Sequence, residues 1–102
     1  MLIVFITVPT PFEGESLAEK IVSAGLAACV QILPQMTSVY EWKGKVERQQ
    51  EHLLLIKTLP EKYDELERFI TANHSYSVPE IVAIEADRVS ASYLKWISEL
   101  LG

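Results

Sequence analysis

The sequence predicts an α+β domain of the ferredoxin-like class: βαββαβ plus a C-terminal helix, an antiparallel sheet with helices on one face, and a long hairpin joining the second and third strands. Three observations predict it. Strand-type and helix-type spacing alternate so that strand-helix-strand occurs twice, two uninterrupted apolar runs mark central strands, and Lys43-Gly44 joins two long β-prone segments. With 102 residues, 49% hydrophobic and 23% charged, the chain has the size and composition of one packed domain, read as residues 1–102.

Leu2-Ile3-Val4-Phe5-Ile6-Thr7-Val8 is apolar at nearly every position, as a strand flanked on both sides must be. After the Pro9-Thr10-Pro11 turn, Leu17, Ala18, Ile21, Val22 and Leu26 recur at helical spacing, and Gly25 is placed to end that helix in a left-handed conformation. Ala27 to Leu33 returns as a second strand, which Pro34 interrupts by a kink, a bulge or an edge. Alternation resumes from Met36 to Trp42, with Met36, Ser38, Tyr40 and Trp42 on one face and Thr37, Val39 and Glu41 on the other.

Gly44 supplies the positive φ of the turn, and Val46 to Thr58 returns as the third strand, polar from Glu47 to His52 and apolar from Leu53 to Ile56. A second helix, entered near Thr58 to Pro60, carries Tyr63, Leu66, Phe69 and Ile70 on one side and closes at Asn73-His74-Ser75. Pro79 opens a fourth strand, Glu80 to Ala86. Ser90 or Ser92 then caps a terminal helix bearing Tyr93, Leu94, Ile97 and Leu101.

A strand from Val46 to Thr58 spans about 43 Å, whereas a compact chain of this length is about 33 Å across. The hairpin must project or curl back over its own sheet. A two-stranded arm is marginal in water and its open edges invite another chain, so the arm predicts an oligomer of identical copies.

The formal net charge is −5, from 9 Lys and Arg against 14 Asp and Glu, with no basic cluster. That argues against nucleic acid and anionic membranes as partners, and the two central strands offer no basic residues for RNA. An acidic balance is compatible with cation binding, although it also serves plain solubility. The opening apolar run is too short for a membrane span and has no basic leader, and the lone cysteine, Cys29, excludes an intrachain disulfide. The default placement is the cytoplasm. No Gly-rich phosphate loop, HExxH, CxxC or nucleophile elbow is present, so no enzyme activity is expected.

Leu26-Ala27-Ala28-Cys29-Val30, Ile32-Leu33-Pro34, Thr37-Ser38-Val39-Tyr40-Glu41-Trp42-Lys43-Gly44-Lys45 and Leu54-Leu55-Ile56-Lys57-Thr58 follow one another along the chain. With His74-Ser75-Tyr76-Ser77-Val78-Pro79-Glu80 and Tyr93-Leu94-Lys95-Trp96, the combination resembles the CutA family of divalent-cation tolerance proteins. The resemblance implies a homotrimer of subunits similar in architecture to PII signal proteins, with hairpins reaching across neighbours. It also implies a role in tolerance to copper and other divalent cations, with no established reaction and no required cofactor. The alternative is a PII-like regulatory or adaptor module that binds a partner protein or small molecule. Ser75 stands where the family carries Pro, which predicts a looser loop. Some members carry a first-strand cysteine and paired histidines, whereas the matching positions here are Ile6 and Asn73-His74.

The candidate metal ligands are His74, Glu80 and Cys29. An imidazole with a carboxylate suits Cu(II) or Zn(II), and a thiolate suits Cu(I), while His74 reads equally as a helix cap and Cys29 as a buried structural thiol. Trp42, Lys57, Tyr76 and Trp96 are the candidate lining of a ligand cleft at a subunit boundary, weighed against plain aromatic packing and a rim charge. His52 reads as solvated. His74 and Glu80 as an acid–base pair lack an accompanying nucleophile or cofactor motif.

Overall fold

Strand β1 (Leu2–Val8) has hydrogen-bonded neighbours on both sides, which is why its sequence is apolar without a break. It pairs antiparallel with β4 (Lys45–Thr58) and with β5 (Ile81–Glu85), in the sheet order β2-β4-β1-β5, where β2 is Cys29–Ile32. These relations come from a computed structural model that describes Met1–Gly102. Both predicted central strands are central, and β1 lies against the apolar half of β4 with Val4 opposite Ile56 and Ile6 opposite Leu54.

One face of the sheet is covered by α1 (Pro11–Ser23) and α2 (Tyr63–Asn73). Leu17 and Ile21 from the first and Leu66 and Ile70 from the second pack on Val4, Ile6, Val8, Leu54 and Ile56. Helix α1 begins where the sequence places it. Thr10 is extended and its side chain accepts a hydrogen bond from the Glu13 N–H at 3.1 Å, with Pro11 in the first turn. It ends at Gly25, whose φ of +71° lets its N–H bond the Val22 carbonyl and the Leu26 N–H bond the Ile21 carbonyl. That closure buries Leu26 against Ile21 in the core.

The terminal helix α3 (Ala91–Leu101) is capped by Ser90, whose hydroxyl accepts from the Tyr93 N–H. It does not join the α1–α2 layer: Ile97 and Leu101 form a separate small cluster with Ala28, flanked by Met1, Leu59 and Tyr93. The other sheet face is only partly covered, leaving Val82 51% and Ile84 48% exposed.

The predicted second strand is two strands. Between β2 and β3 (Met36–Trp42), the three residues Leu33 to Gln35 face only His52 and Leu53 of β4, so Pro34 lies in a one-residue bulge. Strand β4 continues past it and pairs with β3 down to Lys45. Lys43 and Gly44 both have positive φ, 51° and 80°, the requirement of a two-residue type I′ hairpin turn. The resulting arm makes the molecule 45 Å long against 26 and 23 Å across, so the hairpin projects and does not curl back.

Candidate functional site at the base of the arm

Strand β4 changes partners within one step: Glu51 is the last residue opposite β3 and His52 the first opposite β1. Arm and sheet diverge there, and the segment from His74 to Glu80, which joins α2 to β5, lies over the gap. Between them is a cleft of about 600 Å³. Its arm wall includes Ser38, Tyr40, Trp42, Gln49 and Glu51, and its loop wall runs from Tyr76 to Val78 and on to Glu80. The alternation read from the sequence puts Ser38, Tyr40 and Trp42 on one strand face, and opposite them Gln49 and Glu51 share that face.

A one-directional hydrogen-bond chain crosses the cleft floor. The Tyr40 hydroxyl donates to Gln49 Oε1 at 2.6 Å, Gln49 Nε2 donates to the Tyr76 hydroxyl oxygen at 3.1 Å, and the Tyr76 hydroxyl donates to Glu51 Oε2 at 2.8 Å. Burial raises the Tyr76 phenol well above its ordinary range, and the hydrogen bond to Glu51 and that carboxylate's charge add to it. Tyr76 is thereby held as a donor. Glu51, inside a run the sequence marks as polar, is only 6% exposed.

His74 anchors the loop from behind. Its side chain is fully buried, Nδ1 accepts the Tyr76 N–H at 3.0 Å, and Nε2 lies 2.7 Å from the Thr7 carbonyl. Because Nδ1 accepts, the ring proton is on Nε2 and is donated to Thr7. Both nitrogens that a metal would need are therefore engaged, and the ligand expectation for His74 gives way to a bridge between loop and sheet. The ring also packs on Tyr76, with centroids 4.8 Å apart. Nor is the loop left loose by Ser75: its N–H and hydroxyl both donate to Glu13 Oε2, at 3.1 and 2.9 Å. A proline there would have no N–H to offer.

The residues named from the sequence separate into groups. Trp42, Tyr76 and Glu80 line the cleft. Lys57 does not; it faces Cys29 across β4 and β2, and its Nζ donates to Gln31 Oε1 at 2.6 Å. No ion pair joins it to Glu80. Cys29 is half-buried beside Tyr93, whose phenol is raised by burial first and by that thiol second. Trp96 is on α3, stacked at 5.7 Å on Tyr93. His52 is not simply solvated, since its Nδ1 lies 3.1 Å from the Leu33 carbonyl at the bulge. No three His, Cys, Asp or Glu side chains of the chain converge in a metal-ligating group.

The family described as CutA1 divalent ion tolerance protein matches residues 2–100. The chain belongs to the CutA1 divalent ion tolerance family. Among its CutA relatives, the divalent-cation tolerance protein CutA of Thermus thermophilus is 42% identical over 100 residues, covering 98% of this chain and 97% of that protein. The chloroplastic CutA protein of Arabidopsis thaliana is 45% identical over 96 residues, covering 94% of this chain but 53% of the plant protein. The chain thus spans about half the length of that relative. A solved CutA structure from Archaeoglobus fulgidus, described as a periplasmic divalent cation tolerance protein, superposes with a TM-score of 0.96 at 36% identity over 100% of both chains. The α+β, ferredoxin-like class is that of the solved CutA1 structures.

The cytoplasmic placement is corrected by these names, since CutA relatives include a chloroplastic and a periplasmic protein. The physical reason is that a single cysteine rules out an intrachain disulfide but does not by itself fix a compartment. No helix is long and apolar enough to cross a membrane.

No motif in the sequence marks Glu51, Gln49 or Tyr40 as site residues. The available signal was a polar run, Glu47 to His52, immediately before a buried strand, where at least one side chain must sit at the boundary of the core. Glu13 and Thr7, which hold the loop, carry no sequence signal for that role because their partners are 62 and 67 residues away.

Proposed function

We propose that the chain serves divalent-cation tolerance, copper included, as a homotrimer that catalyses no reaction. Its working surface is the cleft at the base of the arm, open to a metal ion or a small ligand. The observation that carries this reading is the pairing of an uncovered arm with a polar-floored cleft at its root. Val39, Trp42 and Val46 are 56, 49 and 75% exposed on a two-stranded arm with no core of its own, which favours a neighbouring copy as its cover. Of the proposed metal ligands, Glu80 faces the cleft and Cys29 does not, so a metal bound there takes its remaining ligands from a second subunit. Lys57 and Trp96 lie off the cleft and serve it only where subunits meet.

Light scattering tests the assembly, with a mass three times that of the chain expected. Calorimetry with Cu(II) and Zn(II), on the wild type and on Glu80→Ala, tests direct binding. No uptake by the wild type, or uptake unchanged in Glu80→Ala, removes the metal part.

That no three His, Cys, Asp or Glu side chains converge favours a second reading, a PII-like regulatory or adaptor module whose loops meet a partner protein or small molecule. A stoichiometric partner recovered with the wild type and lost on changing exposed Ser77 and Val78 supports it.

A further inference from the structure

We infer that His74 is a proton-operated latch: on taking up a proton at Nδ1 it releases the Tyr76 N–H, turns to the Glu13 carboxylate, and so loosens the segment from His74 to Glu80. This goes beyond the cation role proposed above and does not depend on what occupies the cleft or covers the arm.

The latch follows from what each ring nitrogen can do. Nε2 carries the ring proton and donates it to the Thr7 carbonyl at 2.7 Å, which leaves Nδ1 bare to accept the Tyr76 N–H at 3.0 Å. A second ring proton can go only to Nδ1. Two N–H groups would then face each other across that same distance, so the Tyr76 N–H has to leave. The bond to Thr7 survives, because both nitrogens of an imidazolium donate. Histidine is the side chain that changes charge between about pH 5 and 8.

The surroundings offer the new N–H an acceptor. The His74 side chain is fully buried, and an imidazolium there needs a countercharge. Helix α1 supplies one: Glu13 Oε2 is 3.7 Å from Nδ1, too far to bond the neutral ring and near enough to close on a charged one. The same oxygen accepts the Ser75 N–H and hydroxyl, so drawing it toward Nδ1 disturbs the hold on Ser75 as well. Other charges near the ring are few. Lys20 of α1 shares an outer pocket with Glu13 and His74 and opposes the proton, whereas the C-terminal end of α2, which His74 caps, favours it. Strand β1 has no ionisable side chain, and from the loop and β4 come only the Tyr76 phenol and, beyond it, Glu51.

Tyr76 carries the change forward. Its ring packs on His74, and its hydroxyl accepts from Gln49 and donates to Glu51 on the arm. Once its N–H is released, the backbone that aims this side chain at the arm is no longer fixed from behind.

The test is proton–nitrogen NMR of the full chain from about pH 8 to about pH 5. It reads the imidazole nitrogens, the Ser75 and Tyr76 amides, and amide exchange corrected for its intrinsic pH dependence. At the high end the His74 ring is expected to be protonated at Nε2 alone. As pH falls, His74, Ser75 and Tyr76 should shift with one midpoint while protection of the Tyr76 amide drops about tenfold or more. Glu13→Gln keeps an acceptor for Ser75 but removes the charge, and should move that midpoint to lower pH. His74→Asn, whose amide oxygen can accept the Tyr76 N–H, should abolish the step. A ring proton on Nδ1 at the high end, a ring that takes no second proton before the fold melts, or amides that stay still while His74 titrates each overturns the latch. A step that survives His74→Asn, or a midpoint unmoved by Glu13→Gln, overturns it too. If His74→Asn does not fold, the wild type and Glu13→Gln decide the matter alone.

Discussion

The two halves of β4, one in the sheet and one in the arm, differ in how much of each is buried. In the sheet half, Leu54, Ile56 and Thr58 are wholly buried and the residues between them are half-buried. In the arm half, Lys45 to Arg48 are all exposed and only Gln49 and Glu51 withdraw from solvent, both at the cleft. One continuous strand therefore does two jobs. The sheet half stabilises the domain through buried apolar area, whereas the arm half has almost nothing of its own to bury, which is why a covering copy is proposed for it. The site lies at their junction because only there does a strand residue face both a core and a gap.

Ile56→Ala should most strongly confirm the division, lowering stability by about 3 kcal/mol in urea unfolding, since a fully buried side chain leaves a cavity between α1, α2 and β1. An effect as small as that of an arm substitution would break the comparison. His74→Ala comes next, at about 2 kcal/mol, because the Thr7 carbonyl and the Tyr76 N–H lose their partners inside the protein. The loop wall of the cleft then detaches, read as faster amide exchange at Tyr76.

Alkaline pH probes the junction more gently. The folded Tyr76 phenol holds its proton above the ordinary value of 10.0, so above that pH the unfolded chain binds fewer protons than the folded one. Stability is thus fully present below pH 10 and falls as pH rises beyond it, and Tyr76→Phe should flatten that alkaline limb in pH-dependent melting. Trp42→Asp, in the arm half, has the smallest effect on the subunit itself, within about 0.5 kcal/mol. Its effect on light-scattering mass should instead be large, toward that of a single chain. A loss of subunit stability comparable to that of Ile56→Ala would show that the arm supports the fold.

Much of this was legible in the sequence, wherever the cause is local. The periodicity of Leu2 to Val8 and Leu53 to Ile56 marks central strands, Gly25 and Ser90 mark helix ends through backbone conformation and capping, and Gly44 marks a turn that needs positive φ. Strand rise against domain size left the arm either to project or to curl back over its sheet, and the 45 Å extent of the molecule shows that it projects. Tertiary structure alone decided how β2 and β3 share one partner across the Pro34 bulge, and that α3 packs in its own cluster. It alone gathered Trp42, Tyr76 and Glu80 around the unread Glu51 while setting Lys57, Cys29 and Trp96 elsewhere, and it turned His74 from a ligand candidate into a buried bridge. The reason is the reach of the contacts. Periodicity and capping act over a few residues, whereas the bonds from Tyr76 to Glu51 and from His74 to Thr7 join positions 25 and 67 residues apart, which only the packed sheet brings together.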